Sequence, residues 1–361
     1  MNKIVQLWNK YERTLSIATL VCGFTFDLFL AKRPDSIPDN ILLLFYLGLS
    51  ATIIVILNLR TRHVRAGREP VEPLLLLLVL QFCFGGLASN LLILYGKSGS
   101  LGGSLIFIAL LIGLVIGNEL LKNRYAQLRF NIAVYYTLLL TYLTIAVPTF
   151  ILHTIGTWTF LVSGVMSLGV MAVFLFVIFR LVFRGDKRKQ SLETAALILS
   201  IFIIFNGLYF LNIIPPVPLS LKEAGIYHLV TRDAAGDFSG TFEKKRWYEF
   251  WRDTADTYTV AAGQPAYCFS AVFAPGDLST PIVHEWQYYD TDTKHWLTVG
   301  TVQFPITGGR AEGYRGFSIK RVLADGQWRC TVATTKGQVI GYITFNVKIS
   351  SSTVPLSTTA L

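Results

Sequence analysis

Two stretches of this 361-residue chain concentrate side chains able to do chemistry. In Ile282-Val283-His284-Glu285-Trp286-Gln287-Tyr288-Tyr289, strand alternation puts His284, Trp286 and Tyr288 on one face. The second stretch, Gly313-Tyr314-Arg315-Gly316-Phe317-Ser318-Ile319-Lys320, is followed by Gly326-Gln327-Trp328-Arg329-Cys330 and by Gly337-Gln338-Val339-Ile340-Gly341. His284, Arg315, Lys320 and Arg329 are donors suited to an anionic ligand such as a phosphorylated or carboxylated envelope component, because a guanidinium offers such groups a planar fork. Trp286 and Ser318 complete this candidate ligand-binding set. The plainer reading is structural: strand arginines cover apolar surface or pair with acids such as Glu285, while Trp286 and Trp328 fill a core.

A third stretch, Lys244-Lys245-Arg246-Trp247-Tyr248-Glu249-Phe250-Trp251-Arg252, sets Trp247, Tyr248, Phe250 and Trp251 among four cations. That mixture suits lipid headgroups or stacking on sugar rings, and equally a short helix packed on its own domain. The chain has no H-E-x-x-H, C-x-x-C or G-x-S-x-G, and His63, His153, His228, His284 and His295 are dispersed, so no spacing calls for a metal or a cofactor. Pairing His284 with Ser318 for hydrolysis has neither a nucleophile elbow nor a recognisable oxyanion site. Gly96-Lys97-Ser98 lacks the upstream glycine and strand of a phosphate-binding loop and reads as a turn. No catalytic residue emerges, and a non-enzyme is the expectation.

The elements that must position these residues come in two kinds. Apolar residues make up 52% of the chain and charged residues 15%, a balance wrong for a soluble protein of this length. Apolar runs long enough to cross a bilayer fall at 14–31, 40–59, 73–95, 98–118, 130–152, 154–179 and 194–214. They predict a short amino-terminal segment, 1–13, and a bundle of seven spans, 14–214. Fifteen Lys and Arg lie on the amino-terminal tail and alternate loops, whereas the opposite side holds only Lys32, Arg33 and Lys97. Basic residues resist translocation, so the amino terminus is expected in the cytoplasm of a bacterial inner membrane and residues 215–361 in the periplasm.

Residues 1–214 hold 18 Lys and Arg against 9 Asp and Glu, and the remainder 14 against 13. The net charge of +10 therefore belongs to the membrane half, and nucleic acid is not an expected partner. Asp27 is the one acid clearly inside a predicted span, and Asn90 and Asn206 are expected to bridge helices. Gly113-x-x-x-Gly117 is expected to let two helices of the monomer approach closely. A ladder of acids and histidines, a run of gating arginines and an inverted repeat are all missing, which disfavours a pump, a voltage-gated channel or an ion-coupled carrier.

Pro215-Pro216-Val217-Pro218 stops the last helix, and a turn-punctuated, aromatic and threonine-rich region follows. Its strands, near 225–231, 258–262, 266–273, 282–289, 295–303, 313–321, 327–334 and 338–348, predict an all-β, immunoglobulin-like antiparallel sandwich. Tyr267, Phe269, Ala271 and Phe273 share one strand face and leave Cys268 on the other, whereas Cys330 shares an apolar face with Trp328 and Val332. A bridge between Cys268 and Cys330 is chemically open outside the cytoplasm, but these parities disagree about which cysteine is inward and weigh against it.

At these residues the chain resembles a bacterial family, the domain of unknown function numbered twenty-nine fourteen, which includes members with several spans ahead of the domain. The matching features are a His-x-Trp strand at His284 and Trp286, an Arg-x-x-Ser-x-Lys strand at Arg315, Ser318 and Lys320, and a Gly-x-Trp-Arg strand at Gly326, Trp328 and Arg329. A closing glycine hairpin follows. The resemblance covers residues 266–348, is one of layout only in the membrane half, and departs at Cys330, where a β-branched residue is usual. It implies a domain and no reaction.

The expected function is an inner-membrane protein that anchors a periplasmic β-sandwich, which binds an envelope glycan, lipid or periplasmic protein. The alternative is a membrane enzyme or carrier acting on an envelope lipid or glycan.

Overall fold

A computed structural model describes residues 33–64, 74–98, 101–120, 127–181, 187–244, 254–276, 278–310, 312–350 and 354–361. Asp27, Trp247, Tyr248, Phe250, Trp251, the segment 1–13 and the first predicted span lie outside them. Among the described residues six α-helices are followed by eleven β-strands, and the chain divides into two compact units, the second containing Ile214–Leu361.

The helices are α1 (Ile37–Val64), α2 (Leu74–Ser98), α3 (Leu101–Leu120), α4 (Leu128–Val147), α5 (Thr157–Leu181) and α6 (Lys187–Phe210). Long runs of Leu, Ile, Val and Phe favour this form because a helix bonds its backbone polar groups internally and needs no water to satisfy them. Stretches of 21 to 25 residues in α1, α2, α4, α5 and α6 are long and apolar enough to cross a membrane; the apolar stretch of α3, Leu105–Gly117, is shorter. Val165, Val173, Phe176, Ile203 and Ile204 are 60–70% exposed on this unit, a surface that hydrocarbon tails suit and water does not. At Pro148, whose ring cannot continue the regular backbone ladder, a π-helical turn, Pro148–Leu152, takes over from α4.

Among the described residues, Arg129 of α4 donates to Glu193 of α6, and Tyr95, Tyr136 and Tyr142, rather than the expected asparagines, make further hydrogen bonds between helices. Tyr95 of α2 donates to the Thr141 carbonyl of α4 at 3.1 Å and lies 2.6 Å from Thr144 Oγ1. Tyr142 of α4 donates to Asn40 Oδ1 of α1 at 3.3 Å, and the Tyr136 hydroxyl lies 3.4 Å from Ser167 Oγ of α5. The amides of Asn90 and Asn206 donate instead to carbonyls of their own helices, Gly86 and Phe202, each at 2.8 Å. A short side chain reaches the carbonyl one turn back, while a tyrosine hydroxyl spans the gap to a neighbour. Close approach also differs from expectation. A Cβ at Gly86 would meet Tyr46 Cε2 at 2.8 Å and one at Gly164 would meet Phe202 Cε2 at 2.8 Å, whereas Gly113 has nothing within 4 Å.

The strands are β1 (Ser220–Tyr227), β2 (Leu229–Arg232), β3 (Phe238–Glu243), β4 (Thr257–Val260), β5 (Ala266–Phe273), β6 (Ser279–Asp290), β7 (His295–Thr307), β8 (Tyr314–Lys320), β9 (Gly326–Thr334), β10 (Val339–Ile349) and β11 (Leu356–Ala360). They form a five-stranded sheet, β4-β10-β9-β6-β7, and two three-stranded sheets, β1-β5-β8 and β11-β3-β2. Every pairing is antiparallel except that of β4 with β10. Gly337, at φ +77°, turns the β9–β10 hairpin in a left-handed conformation that glycine tolerates best.

The sheet β1-β5-β8 is the central layer. Ala266 and Cys268 of β5 pack with Trp286, Trp328, Cys330 and Phe345 of the five-stranded sheet. Phe269 and Ala271, on the opposite face, pack with Val230 and Phe238 of the small sheet β11-β3-β2. A strand with two inward faces removes the parity conflict between the cysteines: Cys268 and Cys330 are both inward and are joined in a disulfide that ties the central sheet to the five-stranded one. The expectation weighed against that bridge, and it is corrected here. Its error lay in β3 and β11, whose small sheet covers the second face of β5 and which the strand pattern did not single out.

The bridge closes a sequence separation of 62 residues, which in the chain-entropy picture corresponds to about 4 kcal/mol. The double substitution Cys268→Ala with Cys330→Ala is expected to lower the stability of the full-length protein by that order, read from the denaturant midpoint of tryptophan fluorescence. Reductant should reproduce the shift in the wild-type chain and leave the variant unchanged.

Candidate functional site

His284 extends from β6, the second strand in from one edge of the five-stranded sheet, into the layer shared with β1-β5-β8. It is fully buried. One ring nitrogen, Nε2, lies 2.7 Å from Ser270 Oγ on β5, and the other, Nδ1, lies 2.9 Å from Ser318 Oγ on β8. Trp286, two residues along β6, donates from Nε1 to the same Ser318 Oγ at 3.0 Å. The pairing of Cys268 with Ser318 across β5 and β8, and of Trp286 with Cys330 across β6 and β9, puts the disulfide beside this cluster. Phe304 meets the imidazole edge-on at 4.8 Å. Thus both ring nitrogens and both hydroxyls have partners, as buried polar groups must.

Burial in this apolar setting pushes the His284 pKa down to about 4, so the ring is neutral at physiological pH. Ser318 is 3% exposed and Ser270 is fully buried. A serine nucleophile has to meet its substrate, and this one is sealed from solvent. The Cys268 and Cys330 sulfurs and a His284 nitrogen lie within 4.8 Å of one another, a composition that resembles a soft-metal set. In the bridged form, however, the sulfurs are bonded to each other and are not thiolate ligands, so the set as it stands does not fit a metal.

The remaining candidates lie apart from this centre. Arg315 of β8 points towards the small sheet, with Nη1 3.9 Å from Asp237 Oδ1 in a pair too exposed to contribute much. Lys320 donates from Nζ to the Val299 carbonyl of β7 at 2.7 Å. Val299 is the extra residue where the β6–β7 register shifts, so a lysine caps the irregular point of an edge strand. Asn90, buried in α2, serves its own helix.

Arg329 lies on the outer face of the five-stranded sheet. Its guanidinium stands 4.4 Å from the Trp296 ring centroid and 5.3 Å from that of Tyr342, and Nε donates to Gln287 Oε1 at 2.7 Å. Thr331 Oγ1 donates to the same oxygen at 3.0 Å, while Gln287 Nε2 donates to Glu285 Oε2 at 3.1 Å and Thr298 Oγ1 at 3.3 Å. Tyr289 adds a ring 5.2 Å from Trp296.

The six ligand-binding candidates thus separate into one sealed trio, His284, Trp286 and Ser318, and three cations in three other places. Sequence reasoning missed Ser270, Gln287, Trp296 and Tyr342. Gln287 and Arg329 occupy paired positions of β6 and β9, but that pairing has no signal in a single sequence. Ser270 had a weak one, a lone serine in the apolar run Tyr267-Cys268-Phe269-Ser270-Ala271-Val272.

Fold and site define a chain of apolar helices followed by a β-rich domain built around a sealed polar centre. Residues 279–347, running from β6 into β10, match the family described as "Protein of unknown function (DUF2914)", the family that the motifs resemble. No curated protein matches the chain. Among solved structures, an immunoglobulin-like protein from Pseudomonas aeruginosa is similar at 12% identity over 33% of this chain and 97% of that one, with a TM-score of 0.17. Pseudomonas fluorescens alkylpurine DNA glycosylase AlkC, bound to DNA containing an abasic site analog, is similar at 10% identity over 88% of this chain and 99% of that one, with a TM-score of 0.18. Scores that low carry no argument about fold or function.

The neutral imidazole makes stability depend on pH. The unfolded ring titrates near 6.5 and the folded one near 4, so between these values the unfolded state binds more protons. Stability is then full above pH 6.5 and falls as pH drops through that window, by about 3 kcal/mol in all. Denaturant titrations at neutral pH and near pH 4 are expected to show that loss in the wild-type chain. His284→Gln should be less stable at neutral pH, because Ser270 and Ser318 lose a partner, yet decline less on acidification.

Proposed function

We propose that this chain is a bacterial inner-membrane protein whose seven spans, with the amino terminus in the cytoplasm, anchor an immunoglobulin-like domain in the periplasm, where it binds an envelope ligand or partner protein. The observation that carries the binding role is the outer face of the five-stranded sheet, on which Tyr289, Trp296, Tyr342 and Arg329 stand over the polar group of Gln287, Glu285 and Thr298. Aromatic rings beside an ordered cation are a recognition surface rather than a reaction centre. The sealed Ser270–His284–Ser318 cluster supports binding over hydrolysis for the reason already given. The outward orientation is supported by the loop charges and by the disulfide, which suits an oxidising compartment.

Two measurements test the reading. A reporter that works only outside the cytosol, fused after Leu361, should be active; activity of a cytosol-only reporter would overturn the orientation. Crosslinking in intact envelopes should capture protein or lipid with the full chain and not with one ending at residue 214. Equal capture by both chains would remove the role of the β-domain.

A further inference from the structure

We infer that Arg329 is the centre of an oxyanion site on the outer face of the five-stranded sheet, which takes a carboxylate or phosphate group through the two terminal guanidinium nitrogens. This deepens the binding role proposed above and rests on it.

The first support is the way the guanidinium is held. Its Nε is committed to Gln287 Oε1, and that amide is itself fixed by Thr331, Glu285 and Thr298. Gln287 is only 9% exposed although it lies on the outward face. Trp296 and Tyr342 hold the planar group from their ring faces. An arginine in free solution loses rotamer entropy when it grips a ligand, and most of that freedom is already gone here.

The second support is what remains unused. Among the described residues no acceptor meets Nη1 or Nη2, and no carboxylate comes within ion-pair distance of the group. With Nε taken, the end-on fork is left, and its two donors match two oxygens of a carboxylate or a phosphate. Burial also draws the Arg329 pKa down by stripping hydration, which the electrostatic effects of Tyr342 and Glu285 offset only in part. Glu285, the nearest acid by its electrostatic effect, is tied to Gln287 Nε2. It opposes an incoming anion and gives the site a second, oppositely signed handle.

The test is calorimetric titration of the detergent-solubilised full-length protein with inorganic phosphate and, separately, with acetate, at constant ionic strength. Saturable binding of at least one anion is expected, and the tighter of the two identifies the group recognised. Arg329→Lys keeps the charge but loses the fork and the stacking, and should weaken binding roughly tenfold or more. Glu285→Gln removes the opposing charge and should tighten it. Failure of both anions to saturate the wild-type chain overturns the proposal, as does Arg329→Lys binding like wild type or Glu285→Gln binding more weakly. If envelope crosslinking still depends on residues 215–361 in that event, the oxyanion site falls and the broader binding role stands.

Discussion

The β-domain depends on a strand that has no solvent face. β5 runs through the central layer with the five-stranded sheet on one side and β11-β3-β2 on the other, so any polar group it carries must find a partner inside the protein. Cys268 meets Cys330, and Ser270 meets His284. On the next strand Ser318 meets both His284 and Trp286. An unpaired hydroxyl or imidazole at this depth costs on the order of 1–3 kcal/mol, so these residues specify each other. The His-x-Trp pair and Ser318, which suggested a site, are then the two halves of one interlayer lock.

The helical unit obeys the same rule. Its helices bond their backbone groups internally, the amides of Asn90 and Asn206 fold back on their own turn, and Tyr95 and Tyr142 reach across to a neighbouring helix through their hydroxyls. Glycines at positions 86 and 164 make room for the rings of Tyr46 and Phe202. Packing in this unit therefore joins small residues to aromatic ones more than small residues to each other.

Much of this was legible in the sequence because it rests on local periodicity. Apolar runs gave the helices, and period-two alternation placed His284, Trp286 and Tyr288 on one face of β6. The strand at 266–273 is β5 to the residue. What stayed hidden depends on contacts distant along the chain. β3 and β11 pair across more than a hundred residues, and Leu356-Ser357-Thr358-Thr359-Ala360 has no apolar alternation to announce it. Without that sheet, one face of β5 had to look exposed and the cysteines mismatched. In the same way Arg315, Lys320 and Arg329 share a charge and lie close in sequence, yet β8 and β9 belong to different sheets, and Arg315 and Lys320, five residues apart on β8, fall on opposite faces of it.

Lys320 carries a further consequence. β7 borders the five-stranded sheet, and residues 296–307 of it contain no charged side chain, so its free amides and carbonyls are a ready template for a stranger's backbone. The ammonium group sits on the Val299 carbonyl at the bulge, near the middle of this border. A foreign strand zipping along it is halted halfway, which leaves two stubs too short to hold an intruder. A single lysine thereby serves as a fence against fibrous self-association along this border.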